Sequence, residues 1–494
     1  MSEVPDRLGG LTHAGADWSG LRVVVAGLGV SGFAAADALL ERGADVLVVD
    51  GRTPEDGSVM AERARILDIL GARLAYGDDA VSALPDSAVD LVVTSPGWRP
   101  DQPLLVAAAG SGVPVWGEVE LAWRMRAREG AAPWLTVTGT NGKTTTVQML
   151  ASMLRAAGLR ATSAGNVGTP ILEAVLHPEP FDVIAVELSS FQLHWSHSLA
   201  PRASVCLNIA PDHVDWHGSL DEYALAKGKV YAGTEVACVY NVEDERTRRL
   251  VEDAEVQEGC RAVGFTLGVP GLSEVGVVDD VLADRAFVEE RRTSAAELAT
   301  FDDLRGEAPE PAPHLVANAL AAAALARAHG VPAGAVRAGL RAFVPEPHRI
   351  AEVGTVRGIR WVDDSKATNP HAARASLAAY EHVVWVAGGL LKGADVDELV
   401  RGAVARLRGV VLLGRDRSAI SDALARHAPD VPVVDVARTD TGAMDQVVRE
   451  ALALAREGDV VLLAPAAASM DMFADYGARG DAFASAVHRL ADAG

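Results

Sequence analysis

The chain has 494 residues, 49% hydrophobic and 23% charged. That is room for about three domains of ordinary soluble composition, and it excludes disorder as the main state. A formal charge of −22 gives no general electrostatic reason to bind nucleic acid or an anionic membrane, so anionic ligands must be held by local devices such as helix N-termini and single basic residues. No apolar run approaches the ~18 residues of a membrane span. MSEVPDRLGG lacks a basic segment followed by an apolar one, so no signal peptide is expected. Cys206, Cys238 and Cys260 have no metal-ligand spacing and form no disulfide framework. Together these features predict a cytoplasmic protein.

Only five of the 45 basic residues are lysine: Lys143, Lys227, Lys229, Lys366 and Lys392. Where arginine is so favoured, a retained lysine points to a need for a compact ammonium or a reactive amine. Chance survival is the alternative, and it suits Lys229 best.

In chain order, the run Arg22–Ala26 is β-rich and leads into Gly27, Gly29 and Gly32. A helical stretch follows, then a strand ending at Asp50. The glycines alone are a weak signal, but with strand, helix and Asp50 in place this reads as a βαβ unit with a phosphate-binding turn for a nucleotide-type ligand, a merely structural turn being the alternative. A second strand end, Ser95-Pro96-Gly97, is expected to open onto the same crevice. Near 113–118 the pattern changes. A strand over Trp134–Thr138 leads through TGTNGKTTT into a helix ending near Leu154, and β/α alternation continues to about 345. Residues 268–293 read as hairpins or a surface excursion, and 306–313 as a Pro-rich loop before an Ala-rich helix over 314–329. A third alternation follows, with strands at 359–362, 383–387, 410–413 and 460–464. The fold class is α/β: three domains (1–117, 118–346, 347–494), each on a mostly parallel sheet with flanking helices, Rossmann-like, P-loop ATPase and Rossmann-like in turn. Ligands are expected at strand C-terminal ends.

The sharpest motif is Gly139-Thr140-Asn141-Gly142-Lys143-Thr144, with Thr145 next, set between strand and helix as a P-loop should be. Its backbone N–H groups would cradle ATP phosphates, Lys143 would neutralise their charge and Thr144 would reach Mg²⁺. Val137 stands where the usual first glycine would be. FDVIAVELSS supplies an acid, Glu187, at a strand end. NIAPDHVDWHG places His213 beside acids after another strand, a candidate metal ligand or catalytic group. Lys227, by spacing alone, reads as a solvated helix lysine. The segments around His348, Lys366 and Lys392 suggest a second polar site for a small anionic substrate.

TGTNGKTTT, AGNVGTP, VELSSFQL, PDHVDWHG, YALAKGKVY, PHRI, DDSKATNP, GGLLKGAD and LAPAAASMDMF together resemble the Mur ligase family, in the family's order over nearly the whole chain. DSKATN and the GVSG/SPG pair resemble the members that add D-glutamate. The resemblance implies an ATP-dependent amide ligase, acting as a monomer, that phosphorylates the carboxylate of UDP-N-acetylmuramoyl-L-alanine and joins it to D-glutamate. It implies two Mg²⁺ ions, with Thr144 and Glu187 on the first, and His213 and a CO₂-carbamylated Lys227 on the second. It assigns Val30, Ser31, Asp50, Arg52, Ser95, Pro96, Gly97 and Asn166 to the UDP-sugar. Asn318, Arg349 and Asp364 are assigned to the ATP nucleotide, and His348 to catalysis. Lys366, Thr368, Lys392, Ser469 and Tyr476 are assigned to D-glutamate. Two positions depart from the family pattern. Leu315 follows His314 where Asn is usual, and Tyr476 stands where Phe is usual. A nicotinamide-dependent oxidoreductase would explain the first turn and Asp50 but leaves the P-loop and the third-domain lysines without a task. A regulatory ATPase would hydrolyse ATP without needing an amino acid.

Overall fold

The computed structural model describes residues 7–304, 311–344, 347–440 and 442–492; most of the Pro-rich loop expected at 306–313 lies outside them. Two compact units are present. The first comprises the chain up to Ile209 together with Asp221–Phe343, and the second comprises Ala210–Leu220 and the chain from Val344 onward.

The first unit contains two sheets. In one, β1 (Arg22–Ala26), β2 (Asp45–Asp50), β3 (Arg73–Tyr76), β4 (Leu91–Thr94) and β5 (Val115–Gly117) lie in the order β3-β2-β1-β4-β5. All its pairs are parallel. The other holds β6 (Trp134–Thr138), β7 (Ala161–Gly165), β8 (Val183–Glu187), β9 (Ala203–Cys206), β10 (Ala237–Asn241), β11 (Arg261–Phe265), β12 (Glu274–Val278), β13 (Val281–Asp284) and β14 (Ala296–Thr300). Its order is β14-β13-β12-β11-β10-β9-β6-β8-β7. β6, β8 and β9 are buried along their whole length, which is why they read as continuous apolar runs and not as alternating ones. The segment expected as hairpins or an excursion at 268–293 is an antiparallel hairpin, β12–β13, that extends this sheet with β14 at its edge.

The helix Lys143–Ala156 covers the central strands with its buried face of Val147, Leu150, Ala151 and Leu154. The Ala-rich helix spans Pro313–Ala328, one residue earlier than expected, because Pro313 is preorganised for the first helical position. Its run of alanines lets it pack closely, and Ala319–Ala326 is wholly buried. The end of the first sheet is tied to the second by Glu120, which is fully buried. Its carboxylate accepts from the His197 N–H at 2.7 Å, the Ser198 N–H at 2.9 Å and the Ser198 hydroxyl at 2.6 Å.

The second unit carries β15 (Ala351–Val356), β16 (Ile359–Asp363), β17 (Val383–Ala387), β18 (Leu407–Leu412), β19 (Val433–Asp435) and β20 (Val460–Leu463), in the order β15-β16-β20-β17-β18-β19. Only the β15–β16 pair is antiparallel. Among the described residues no helix is long and apolar enough to cross a membrane.

Candidate active site

β6 runs through Thr138, so Val137 lies inside the strand and the phosphate loop begins at Gly139. Asn208, just beyond β9, clamps this loop from the neighbouring strand. The N–H of Thr140 donates to the Asn208 carbonyl at 2.9 Å, and the N–H of Asn141 to its Oδ1 at 2.9 Å. Asn208 Nδ2 returns a bond to the Asn141 carbonyl at 3.1 Å. Gly142 has φ 86°, and a Cβ there would fall 2.3 Å from Asn318 Oδ1. Only glycine satisfies both constraints. The Ala-rich helix thus delivers Asn318, one of the expected nucleotide residues, directly against the loop. Lys143 opens the following helix and folds back over the loop, its Nζ donating to the carbonyls of Gly139 at 2.9 Å and Thr140 at 2.8 Å. Thr144 and Thr145 are buried in the helix's first turn.

Glu187 sits at the end of β8, in register with Val137, and is 1% exposed. Asn166 Nδ2 donates to its Oε1 at 2.9 Å, while its Oε2 is buried with no hydrogen-bond partner. Leaving a carboxylate oxygen so would cost a few kcal/mol, which suits an atom meant for a cation. Asn166, expected at the UDP-sugar, therefore also fixes this acid.

Lys227 is not the solvated helix lysine its spacing suggests. It is 2% exposed, and its Nζ donates to the Gly139 carbonyl at 2.9 Å and lies 3.5 Å from Thr138 Oγ1. One helical turn earlier, Tyr223 places its ring 4.7 Å from that ammonium and its hydroxyl 3.1 Å from Thr140 Oγ1. The helix Leu220–Gly228 thus presents two side chains, four residues apart on one face, to the phosphate loop. Lys229, read as a chance survivor, is half-buried and donates to the His194 carbonyl at 2.8 Å.

In the first sheet, Asp50 ends β2 and braces the Gly-rich turn. Its Oδ2 accepts from the Leu28 N–H at 2.9 Å and its Oδ1 from the Arg52 N–H at 2.9 Å. Burial raises this carboxyl, but those N–H groups and the Arg52 guanidinium outweigh burial and hold it below the usual carboxylate range. Val30 is exposed on the turn, Ser31 and Pro96 are half-buried and Gly97 is exposed. Ser95 Oγ is buried without a partner.

In the second unit His348 Nδ1 is hydrogen-bonded to Asp363 Oδ2 at 2.6 Å. Asp364 accepts from the Ile350 N–H at 3.3 Å and from Ser376, and burial pushes its carboxyl up to about 6. The Lys366 Nζ lies 4.9 Å from the ring of Tyr476, so the aromatic departure at 476 still supplies a face to that lysine. Lys392 is exposed with φ 53°. Ser469 is buried, next to the bridge between Leu390 and Ala468. His213, with φ 51°, lies in the Ala210–Leu220 segment that goes with this unit.

Two residues central to this second cluster carry no motif. Arg479, 1% exposed, donates to Ser365 Oγ at 2.9 Å, the Ser365 carbonyl at 2.7 Å and the Ala467 carbonyl at 3.0 Å. Ser365 Oγ in turn donates to the Tyr476 carbonyl at 2.7 Å. One guanidinium therefore ties together three segments expected to hold D-glutamate. Beside it, a Cβ on Gly480 would fall 2.1 Å from His348 Nδ1, so glycine is required there for the His348–Asp363 contact.

The chain is similar to known proteins. Family models match along the chain: "Mur ligase MurD-like, N-terminal domain" over 21–117, "Mur ligase middle domain" over 137–326 and "Mur ligase, glutamate ligase domain" over 348–467. The chain is 61% identical over 476 residues to the UDP-N-acetylmuramoylalanine--D-glutamate ligase of Streptomyces avermitilis, covering 96% of this chain and 99% of that one. It is 54% identical to the protein of the same name from Leifsonia xyli, covering 100% and 97%. Among solved structures, the UDP-N-acetylmuramate-alanine ligase MurC of Thermotoga maritima shares the fold at TM-score 0.55 and 21% identity, covering 96% of this chain and all of that one. With matched models spanning most of the chain and relatives this similar over nearly its full length, the chain belongs to the Mur ligase family.

Proposed function

We infer that this chain is an ATP-dependent amide ligase that joins D-glutamate to UDP-N-acetylmuramoyl-L-alanine, a step in building peptidoglycan precursors. The observation that carries this reading is 61% identity over 96% of the chain to a ligase of that name, together with a phosphate loop that carries Lys143 and Thr144 and a buried Glu187, its Oε2 without a partner, at the end of the strand paired with the one leading into that loop. The domain boundaries fall at 117/118 and 346/347, and the enzyme works in the cytoplasm as a monomer on small soluble substrates.

ATP phosphorylates the terminal carboxylate of the UDP-sugar, the amine of D-glutamate attacks the acyl phosphate, and the tetrahedral intermediate expels phosphate. Lys143 holds a point charge over the phosphate loop while negative charge moves between oxygens. Asn318 and the first turn of helix Lys143–Ala156 orient the nucleotide, assisted by Arg349 and Asp364. The turns at Val30, Ser31, Asp50, Arg52 and Ser95–Gly97, with Asn166, hold the UDP-sugar. His348, braced by Asp363, orients the reacting groups. Lys366, Thr368, Lys392, Ser469 and Tyr476 grip D-glutamate, whose two carboxylates need separate anchors.

The donors fit magnesium. The free Oε2 of Glu187 and the Thr144 hydroxyl are hard oxygen ligands, and the described residues hold no cluster of three or more His, Cys, Asp or Glu. By the family resemblance, His213 and Lys227, the latter as its carbamate, would be ligands of a second ion. Bound Mg²⁺ supplies Lewis-acid neutralisation of phosphate charge.

Asn166→Ala should raise the Mg²⁺ concentration for half-maximal activity about 10-fold, in the range found when a group orienting a metal ligand is removed. A magnesium titration of initial rate checks it. Lys366→Ala should raise KM for D-glutamate about 10-fold or more, the loss of one charge-assisted contact, and change KM for ATP by less. Steady-state kinetics in each substrate separates the two. The reaction itself is tested by phosphate release from ATP with UDP-N-acetylmuramoyl-L-alanine, offering amino acids one at a time. D-glutamate should support turnover and L-glutamate should do so poorly. A preference for L-alanine or diaminopimelate would replace the substrate, and release independent of any amino acid would remove the ligase reading.

A further inference from the structure

The chain has three cysteines, and two of them touch. Cys238 in β10 and Cys260, just before β11, lie on neighbouring parallel strands with their sulfurs 3.8 Å apart. Cys238 is 2% exposed and Cys260 is half-buried. Both sit towards the N-terminal ends of their strands, whereas the phosphate loop, Glu187 and Asn208 follow or end strands at the C-terminal edge of the same sheet. The ligase reaction gives this pair no task.

We propose that Cys238 and Cys260 form a dithiol that is oxidised by a hydroperoxide, hydrogen peroxide being the simplest, to an internal disulfide. Cys260 is the attacking sulfur. It is the more accessible of the two, and the hydrogen bond from Cys238, opposed by burial and helped by neighbouring backbone N–H groups, holds its thiol below the usual range. Cys238 is pushed up by that same bond and by burial, so it stays a thiol until Cys260 has reacted. The Cys260 thiolate attacks one peroxide oxygen. The O–O bond breaks, hydroxide leaves and takes up a proton to become water, and the sulfur is oxidised to sulfenic acid. Cys238 then loses its proton and attacks that sulfur. The S–S bond forms, the S–O bond breaks and a second water departs. Two thiols are oxidised and one peroxide is reduced to two waters. Cys206 takes no part, because burial pushes its thiol up to about 12. A disulfide in a cytoplasmic protein is typically transient and redox-responsive, and a sulfur partner within reach protects Cys260 from irreversible over-oxidation.

The test treats the full-length protein with hydrogen peroxide, quenches it, and alkylates it after denaturation. Alkylatable thiols should fall from three to one, and the intact mass measured before alkylation should fall by about 2 Da, as disulfide formation removes two hydrogens. A Cys238–Cys260 linked peptide should appear, and dithiothreitol should restore all three thiols. Ligase activity should stay within about two-fold. Cys238→Ser should instead leave Cys260 as a sulfenic acid trapped by dimedone, and Cys260→Ser should leave Cys238 unoxidised at the same dose. Three thiols persisting at a dose that oxidises free cysteine, a link through Cys206, or a Cys238→Ser protein that traps no dimedone would each overturn the proposal.

Discussion

Lys143→Ala should abolish ligation, with kcat/KM falling by at least about 10²–10³-fold, the loss seen when one preorganised electrostatic donor is removed from a reacting oxyanion. Lys143→Arg falls nearly as far. The wild-type Nζ fits between the Gly139 and Thr140 carbonyls at 2.9 and 2.8 Å, contacts that a single compact donor centre with three protons can make at once. A guanidinium spreads its donors over a larger plane and cannot fold into the same space above the loop. Neither variant should unfold, because Lys143 is half-exposed and opens a helix whose stability comes from its buried apolar face. Steady-state phosphate release alongside a thermal melt checks both statements. Near-normal turnover in the arginine variant would remove Lys143 from phosphoryl transfer.

The loss expected at Lys227 is of similar size and has a different cause. Lys227→Ala and Lys227→Arg should both be nearly inactive, and acetate or formate should partly restore the alanine variant. The amine is 2% exposed and lies 2.9 Å from the Gly139 carbonyl. An ammonium there repels a cation. A carbamate keeps one N–H for that carbonyl and adds two oxygens, the ligand type Mg²⁺ prefers. Arginine cannot follow this chemistry, because its guanidinium is always protonated. The modification has its own readout: protein equilibrated with ¹³C-labelled bicarbonate should show a carbamate carbon resonance that Lys227→Ala lacks. A fully active Lys227→Arg enzyme without that resonance would leave Lys227 as a loop-bracing lysine and nothing more.

The parts of the fold legible in the sequence are those where a buried strand meets a glycine turn. β1, β6 and β17 lie where apolar runs ending in Gly-rich segments placed them, since a short, β-branched apolar run bounded by a glycine turn marks a strand buried on both faces. The phosphate loop was legible for the same reason. Less legible was which way a helix faces. Spacing around Lys227 gives no strong apolar stripe, so its burial became visible only once the helix was docked on the loop. Contacts between distant segments were not legible either. Asn166 bonds an acid 21 positions away and Arg479 a serine 114 positions away, and neither lies in a pattern that names its partner. Gly480 offers one usable signal, a glycine inside the helix Tyr476–Asp492, where it costs about 1 kcal/mol against alanine unless close packing requires it. Here the His348 ring supplies that requirement.

In the proposed reaction ATP phosphorylates a carboxylate before the amide forms. This order is tested most directly by supplying UDP-N-acetylmuramoyl-L-alanine with its terminal carboxylate labelled with ¹⁸O, together with ATP, Mg²⁺ and D-glutamate, and measuring the mass of the released phosphate. An acyl phosphate leaves one carboxylate oxygen with the phosphoryl group when the amine displaces it, so each phosphate released should carry one ¹⁸O atom from the labelled carboxylate. Unlabelled phosphate accompanying amide formation would contradict the account.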